Sequence, residues 1–311
     1  MVGRIALFLG IVLQLLAVDI QAQQRPVIST YLFNPVALNP AMVGRLNQLS
    51  LTALNRNQWV NIDGAPSFQS FIAHNAFRQN QIGAGLVFTK DKVGVHEELS
   101  LYTAYAYKIR MSRGVLSFGL QGGFSSRKSD FTQLNIRDQT DPFLTGAPKT
   151  FNPNFGTGIY YQDSKSYLSL SIPFILTPQA FDIEVDSPVG AKDVRYYYLY
   201  GGTAFKLDDQ EKFMLNPSFL LRVPERGPMG WDLNANLIID KKVYTGVSWR
   251  SGDAIILLLQ LVLNDNFRIG YGYDIITSAL TRYSKGSHEI MINYRIPIVN
   301  HKNNPECPSY L

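Results

Sequence analysis

A two-residue alternation of apolar with small or polar side chains recurs along this 311-residue chain after residue 47, and few folds are compatible with it. Leu99, Leu101, Thr103, Tyr105, Tyr107 and Ile109 alternate with Ser100, Tyr102, Ala104, Ala106 and Lys108. Leu233, Ala235, Leu237 and Ile239 oppose Asp232, Asn234, Asn236 and Asp240, and Phe267, Ile269, Tyr271, Tyr273 and Ile275 oppose Arg268, Gly270, Gly272 and Asp274. Successive strand side chains point to opposite faces, so each segment has one greasy face and one wet face. The segments fall at 48–60, 66–76, 81–89, 98–110, 114–126, 154–162, 167–173, 196–207, 212–223, 231–239, 242–250, 254–263, 267–275 and 287–298. Fourteen is an even count, and most segments match the roughly 9–11 residues with which a tilted strand crosses a bilayer.

Connection lengths point the same way. The even-numbered gaps, 77–80, 111–113, 163–166, 208–211, 240–241 and 264–266, are all short, whereas 127–153, 174–195 and the stretch from 276 to the last strand are odd-numbered. Outer-membrane barrels put short turns on the periplasmic side and long loops outside, whereas a soluble sheet has no reason to sort loops by parity. A secreted sandwich, propeller or solenoid also alternates. Against it stands composition: charged residues are 17% and aromatics 12%, where a soluble domain carries about 25% charge. Tyr105, Tyr107, Tyr161, Tyr198, Trp249 and Tyr273 are placed near strand ends, where interfacial girdles form. The predicted fold is all-β, a transmembrane antiparallel β-barrel of about 14 strands within a range of 12–16. Pro217, the brevity of 167–173 and the two apolar faces of 254–263 set that range.

Residues 1–22 read as a signal peptide: Arg4, an apolar run from Ile5 to Val18, then Ala22 before the expected cleavage. The longest later apolar run, Ala254–Leu259, is far too short for a helical span. Residues 23–47 form an N-terminal segment, a candidate plug, followed by a barrel over 48–298 and a periplasmic tail over 299–311 that contains the single cysteine, Cys307. That tail is a candidate docking element, and its unpaired thiol a candidate for an intermolecular bond.

Little in the sequence suggests catalysis. Net charge is +5 with no long Lys/Arg block, which argues against nucleic acid. His74, His96, His288 and His301 have no ligand-spaced partners, so no metal and no cofactor is expected. Ser125-Ser126-Arg127-Lys128 matches an S-x-x-K string without its companion motifs, with Lys128 read as opening a loop. Asp138, Asp141, Asp182, Glu184 and Asp186 are read as solvated loop acids that fit no Ca²⁺ pattern. His74 with Asn75 and Ser70 is the one set that a barrel-borne lipid hydrolase could use, and no nucleophile motif accompanies it. Paired glycines at Gly83 and Gly85, Gly122 and Gly123, and Gly201 and Gly202 suggest close packing in the lumen or sheet curvature.

The most distinctive text is Tyr31-Leu32-Phe33-Asn34-Pro35, Leu38-Asn39-Pro40-Ala41 and Gly44, then Leu51-Thr52-Ala53-Leu54, Arg56-Asn57-Gln58-Trp59-Val60 and Asp63-Gly64-Ala65-Pro66. With Asp91-Lys92-Val93-Gly94, Leu116-Ser117-Phe118-Gly119-Leu120 and Pro153-Asn154-Phe155-Gly156, it resembles the PorP/SprF family of outer-membrane proteins associated with type IX secretion and gliding motility. The resemblance implies a non-catalytic membrane barrel in a cell-envelope assembly. Its implied partners are outer-membrane lipid, a periplasmic peptidoglycan-binding lipoprotein, or a large surface adhesin whose export it supports. Both the core-machinery branch and the cargo-specific branch stay open. The motif residues Tyr31, Phe33, Asn34, Pro35, Asn39, Pro40, Gly44, Arg56, Asn57, Gln58, Trp59, Gly64 and Pro66 become the candidate partner or plug contacts.

Physical reading of the same motif points to a plug. Two Asn-Pro steps cannot extend a sheet ladder and favour turns. A fourteen-strand barrel is about 28 Å across its backbone, wide enough to need filling. Arg56 and Gln58 are expected to point inward and bind the segment's carbonyls. The functional expectation is an exported outer-membrane anchor or accessory with an occluded lumen. The alternatives are a diffusion or uptake channel and, less favoured, the hydrolase.

Overall fold

The computed structural model describes residues 27–78, 80–133, 149–177 and 193–297. The alternating segments form one antiparallel sheet: β1 (Leu49–Asn57), β2 (Ser67–Phe77), β3 (Ile82–Val93), β4 (His96–Met111), β5 (Gly114–Ser129), β6 (Lys149–Asp163), β7 (Ser166–Ile172), β8 (Tyr196–Thr203), β9 (Phe205–Lys206), β10 (Phe213–Pro224), β11 (Gly230–Ile239), β12 (Val243–Arg250), β13 (Ala254–Val262), β14 (Phe267–Ile276) and β15 (Ser287–Ile296). Strand β15 pairs back on β1 from Leu49↔Ile296 to Asn57↔His288, so the sheet closes and has no free edge. Strand β9 continues β8 past Ala204, and both pair with β10, so fifteen segments make fourteen staves.

That interruption has a chemical reason. Pro217 has no N–H to donate, and it lies between the rows Ser218↔Gly202 and Leu215↔Phe205, where the pairing of β10 with β8 has ended and that with β9 not yet begun. On its other side, pairing with Ala235 continues unbroken. The proline therefore occupies a place where one ladder is already open.

The faces sort as the alternation predicts. Phe71, Leu86, Phe88, Leu120, Ile159, Leu170, Leu233 and Ile292 point outward and are exposed, while Ser50, Thr52, Ser117, Ser169, Asn234, Asp274 and Glu289 point inward and are buried. An apolar exterior around a polar interior is the solution for a sheet whose solvent is hydrocarbon, since closure pairs the strand edges that would otherwise face it. Strand β13 obeys the same rule despite two apolar faces. Ile255, Leu257 and Leu259 face out, while Ala254, Ile256 and Leu258 face in and pack on Leu32 and Phe33 of the N-terminal segment.

Loop lengths divide by parity, with differences in detail. The second-, fourth- and later even-numbered turns contain at most six residues, the longest being 207–212, longer than the sequence reading allowed. On the opposite end, β3 and β4 form a long hairpin with only Gly94 and Val95 between them, so not every connection there is long. Lys128 lies within β5 and bonds Asp130, rather than opening a loop, and β6 begins at Lys149. Residues 1–22, the loop acids Asp138, Asp141, Asp182, Glu184 and Asp186, and the tail with Cys307 lie outside the described residues. No described helix is long and apolar enough to cross a membrane.

Candidate functional site

Residues 27–47 run inside the barrel as three single helical turns, Thr30–Leu32, Pro35–Ala37 and Pro40–Met42. Pro35 and Pro40 each open a turn, where a missing N–H costs nothing and φ is already set. Asn39 caps the third turn by accepting from the Ala41 N–H at 2.8 Å. The two Asn-Pro steps therefore coil the segment into short turns instead of letting it pair with the wall.

Near the loop end of the lumen the segment meets a buried ionic network. Glu289 accepts the N–H groups of Ser29 and Thr30, each at 2.8 Å, and the Thr30 hydroxyl as well. Ser29 Oγ donates to Asp274 at 2.8 Å. Arg56 bridges the two carboxylates, 2.6 Å from Asp274 and 3.1 Å from Glu289. Arg250 lies 3.4 Å from Asp274 and 3.3 Å from Asp232, which also takes Arg222 at 2.8 Å. Three guanidiniums thus meet three carboxylates from β1, β10, β11, β12, β14 and β15, and Glu289 is 0% exposed. Charge is balanced, so the chief cost of burial is offset within the cluster. Removing a single member would strand its partner.

Further along, the wall narrows around the backbone. A side chain at Gly119 would lie 2.1 Å from Ala41 N, one at Gly158 2.0 Å from Asn39 Oδ1, and one at Gly83 2.1 Å from Val43 O. Ser117 and Ser171 donate to the carbonyls of Ala41 and Leu38, both at 2.7 Å. Asn39 Nδ2 donates to Ser169 Oγ at 2.7 Å and to the Ile159 carbonyl at 3.0 Å. Gly44, at φ +63°, sends its N–H to His74 Nδ1 at 3.2 Å, and its carbonyl accepts from Lys108. That bond requires His74 Nδ1 to be the unprotonated nitrogen. Tyr31 packs edge-on against Tyr200 and accepts from Asn234 at 2.8 Å.

The motif residues divide into two groups. Tyr31, Phe33, Asn34, Pro35, Asn39, Pro40, Gly44 and Arg56 are gathered in the lumen, whereas Asn57, Gln58, Trp59, Gly64 and Pro66 lie at the loop end of β1 and in the β1–β2 connection. Gln58 donates its backbone N–H to the Pro66 carbonyl at 2.9 Å, and Trp59 donates its own to Ser287 Oγ at 3.2 Å. The expectation that Arg56 and Gln58 bind the segment's carbonyls is corrected. Arg56 binds Ser29 Oγ and two carboxylates, Gln58 lies beyond the strand, and the carbonyls are taken by Lys108, Ser117 and Ser171. Asp232, Asp274, Glu289, Arg222, Arg250 and Lys108 were not anticipated as contacts. Their only sequence signal is a charge on the wet face of a strand.

Two other expectations change. His74 and Ser70 face the buried interior while Asn75 occupies the alternate, outward position on β2, so the three do not converge on the exterior. Tyr198 packs with the inner cluster instead of joining an outer girdle. Of the paired glycines, only Gly83 and Gly85 approach the lumen segment; Gly122 meets Phe155, and Gly202 meets Tyr167. Among the described residues no group of His, Cys, Asp and Glu is placed to hold a metal ion.

A family model described as type IX secretion system membrane protein PorP/SprF matches residues 20–294. The chain belongs to the PorP/SprF family. No curated protein matches it at a significant level. Among solved structures, this PorP/SprF chain is similar to the outer membrane protein Omp33 of Acinetobacter baumannii at 8% identity and a TM-score of 0.47, covering 81% of this chain and 99% of that one. It is similar to the CymD monoaromatic hydrocarbon channel at 12% identity and 0.48, covering 89% and 94%. A Pseudomonas aeruginosa FadL homologue matches at 11% and 0.46, covering 88% and 95%.

Proposed function

We propose that this PorP/SprF chain is a non-catalytic component of the type IX secretion machinery. It sits in the outer membrane, holds partner proteins through its loops and turns, and keeps its own lumen occluded with residues 27–47. Family membership makes it a secretion-system membrane protein. The observation supporting an anchor over a pore is the lumen segment, tied to the wall at one end by hydrogen bonds from Ser29 and Thr30 to the buried carboxylates of Asp274 and Glu289, and by Lys108 and His74 at the other. An open diffusion pore would be blocked by a plug braced at both mouths. Residues 1–22 would direct export and be removed. The partners would be a periplasmic lipoprotein that binds peptidoglycan, or a large surface adhesin.

Two measurements test the reading. In planar bilayers the intact protein is expected to show negligible conductance, and the chain lacking residues 27–47 to conduct. Steady ion flow through the intact barrel favours the diffusion-channel alternative. In pull-downs from detergent-solubilised outer membranes, a lipoprotein or adhesin is expected at near-stoichiometric yield, and recovery of the barrel alone sinks the anchor role.

A further inference from the structure

A second lumen feature lies at the short-turn end and belongs to no contact described above. Arg45 precedes β1, Arg268 is the second residue of β14, and Arg295 is the second-last of β15, so all three guanidiniums stand at that mouth. They line a small cleft of about 40 Å³ that opens to solvent, and Arg45 and Arg295 also line the adjoining cleft beside Asn34. Among the described residues none of the three has an ion-pair partner. Their side chains give only Arg295 Nε to Asn293 at 2.8 Å and Arg268 Nη1 to a backbone carbonyl at 3.4 Å. The contrast with the opposite mouth, where three arginines meet three carboxylates, is direct.

Gathering three cations beside one cleft, with the exposed Asp265 carboxylate near Arg268 but no carboxylate paired to any of the three, is unfavourable unless an anion adds to the site. A separate observation agrees. Asn34 is 3% exposed, and its Nδ2 donor, beside the adjoining cleft, has no partner. The larger cleft also holds two unsatisfied acceptors, Asn216 Oδ1 and Asn236 Oδ1. A bare inorganic anion would satisfy the donors and leave those acceptors empty. A peptide carries both carboxylate and N–H groups and satisfies both kinds.

We infer that the short-turn mouth is a binding site for a carboxylate-bearing peptide segment presented from the periplasm. Arg268 and Arg295 grip the carboxylates, Arg45 adds charge from the lumen segment, and the two asparagine oxygens receive main-chain N–H groups. Of the proposed function, this needs only that the short turns face the periplasm.

The test uses the purified full-length barrel in detergent, titrated calorimetrically with an N-acetylated hexapeptide carrying two aspartates and a free C-terminus. Controls are the same peptide with asparagines and a C-terminal amide, and inorganic phosphate. Expected is saturable binding of the acidic peptide that weakens with salt, falls about tenfold or more in Arg268→Gln and in Arg295→Gln, and exceeds binding of both controls. If Arg295→Gln fails to fold, Arg268→Gln, half-buried with one backbone contact, still decides. Equal binding of the neutral peptide, no binding at all, or phosphate binding as tightly as the peptide overturns the inference. A barrel that binds the peptide yet conducts ions upholds this site and defeats the occluded lumen, so the two readings fail separately.

Discussion

Glu289 shows how one side chain can set the path of a segment some 260 residues away in sequence. It accepts two consecutive backbone N–H groups, from Ser29 and Thr30, and is neutralised by Arg56. Truncating one partner leaves a buried charge unpaired, at a cost of about 3–5 kcal/mol. Arg56→Ala and Glu289→Ala are each expected to lower the denaturant midpoint in detergent, and the double variant to cost less than their sum, because the Arg56–Glu289 pair is lost in both single variants. A double-mutant cycle that comes out additive contradicts the described network. Sequence reasoning placed Arg56 correctly on the inner face, since alternation fixes direction. It chose the wrong acceptors, because Asp274 and Glu289 lie 218 and 233 residues away and no local pattern shows which inward charges meet.

Among the elements, β13 and the lumen segment explain one another. Read alone, Ala254–Val262 is apolar on both faces and fits a buried helical turn as readily as a strand. Its inward side chains are apolar because Leu32 and Phe33 lie against them. On the other side of the segment Gly119 lies against the backbone of Pro40 and Ala41, and Gly158 against the Asn39 side chain. Gly158→Leu places carbon where Asn39 Oδ1 sits, so it is expected to displace the Pro40–Met42 turn and raise bilayer conductance, while the barrel keeps its heat-modifiable gel mobility. Unchanged conductance in a folded Gly158→Leu barrel counts against that turn as the obstruction. The strands themselves were legible almost throughout, including the hard cases Pro217 and 167–173. Their ends were less so: β3 to β6 extend further at the loop end, where polar and charged side chains such as Asp91, Glu98, Arg127 and Lys128 keep pairing after the apolar alternation stops.

For the whole molecule the decisive property is an exterior greasier than its interior. Leu257, mid-strand on β13 and 44% exposed, faces the surrounding medium. Leu257→Arg is expected to destabilise the barrel by about 2–4 kcal/mol in lipid vesicles, whereas the same change at the strand end, Leu261→Arg, costs only about 0–1 kcal/mol. Equal penalties at the two depths, measured by reversible unfolding in vesicles, would argue that this face does not meet a bilayer. The parity of loop lengths belongs to this scale too, since it follows from the two ends of every strand lying on opposite sides of one membrane.

Strand number, strand direction, the wet and greasy faces, and the short-turn end were written in the sequence, because alternation and turn spacing are local and a closed sheet repeats them at every stave. Register between β15 and β1, the path of residues 27–47 and the identity of its counter-charges were decided only by the folded barrel. Closure brings together groups more than two hundred residues apart, and burial away from water then favours pairing of charges, such as Arg56 with Asp274 and Glu289, that no neighbouring residue foretells.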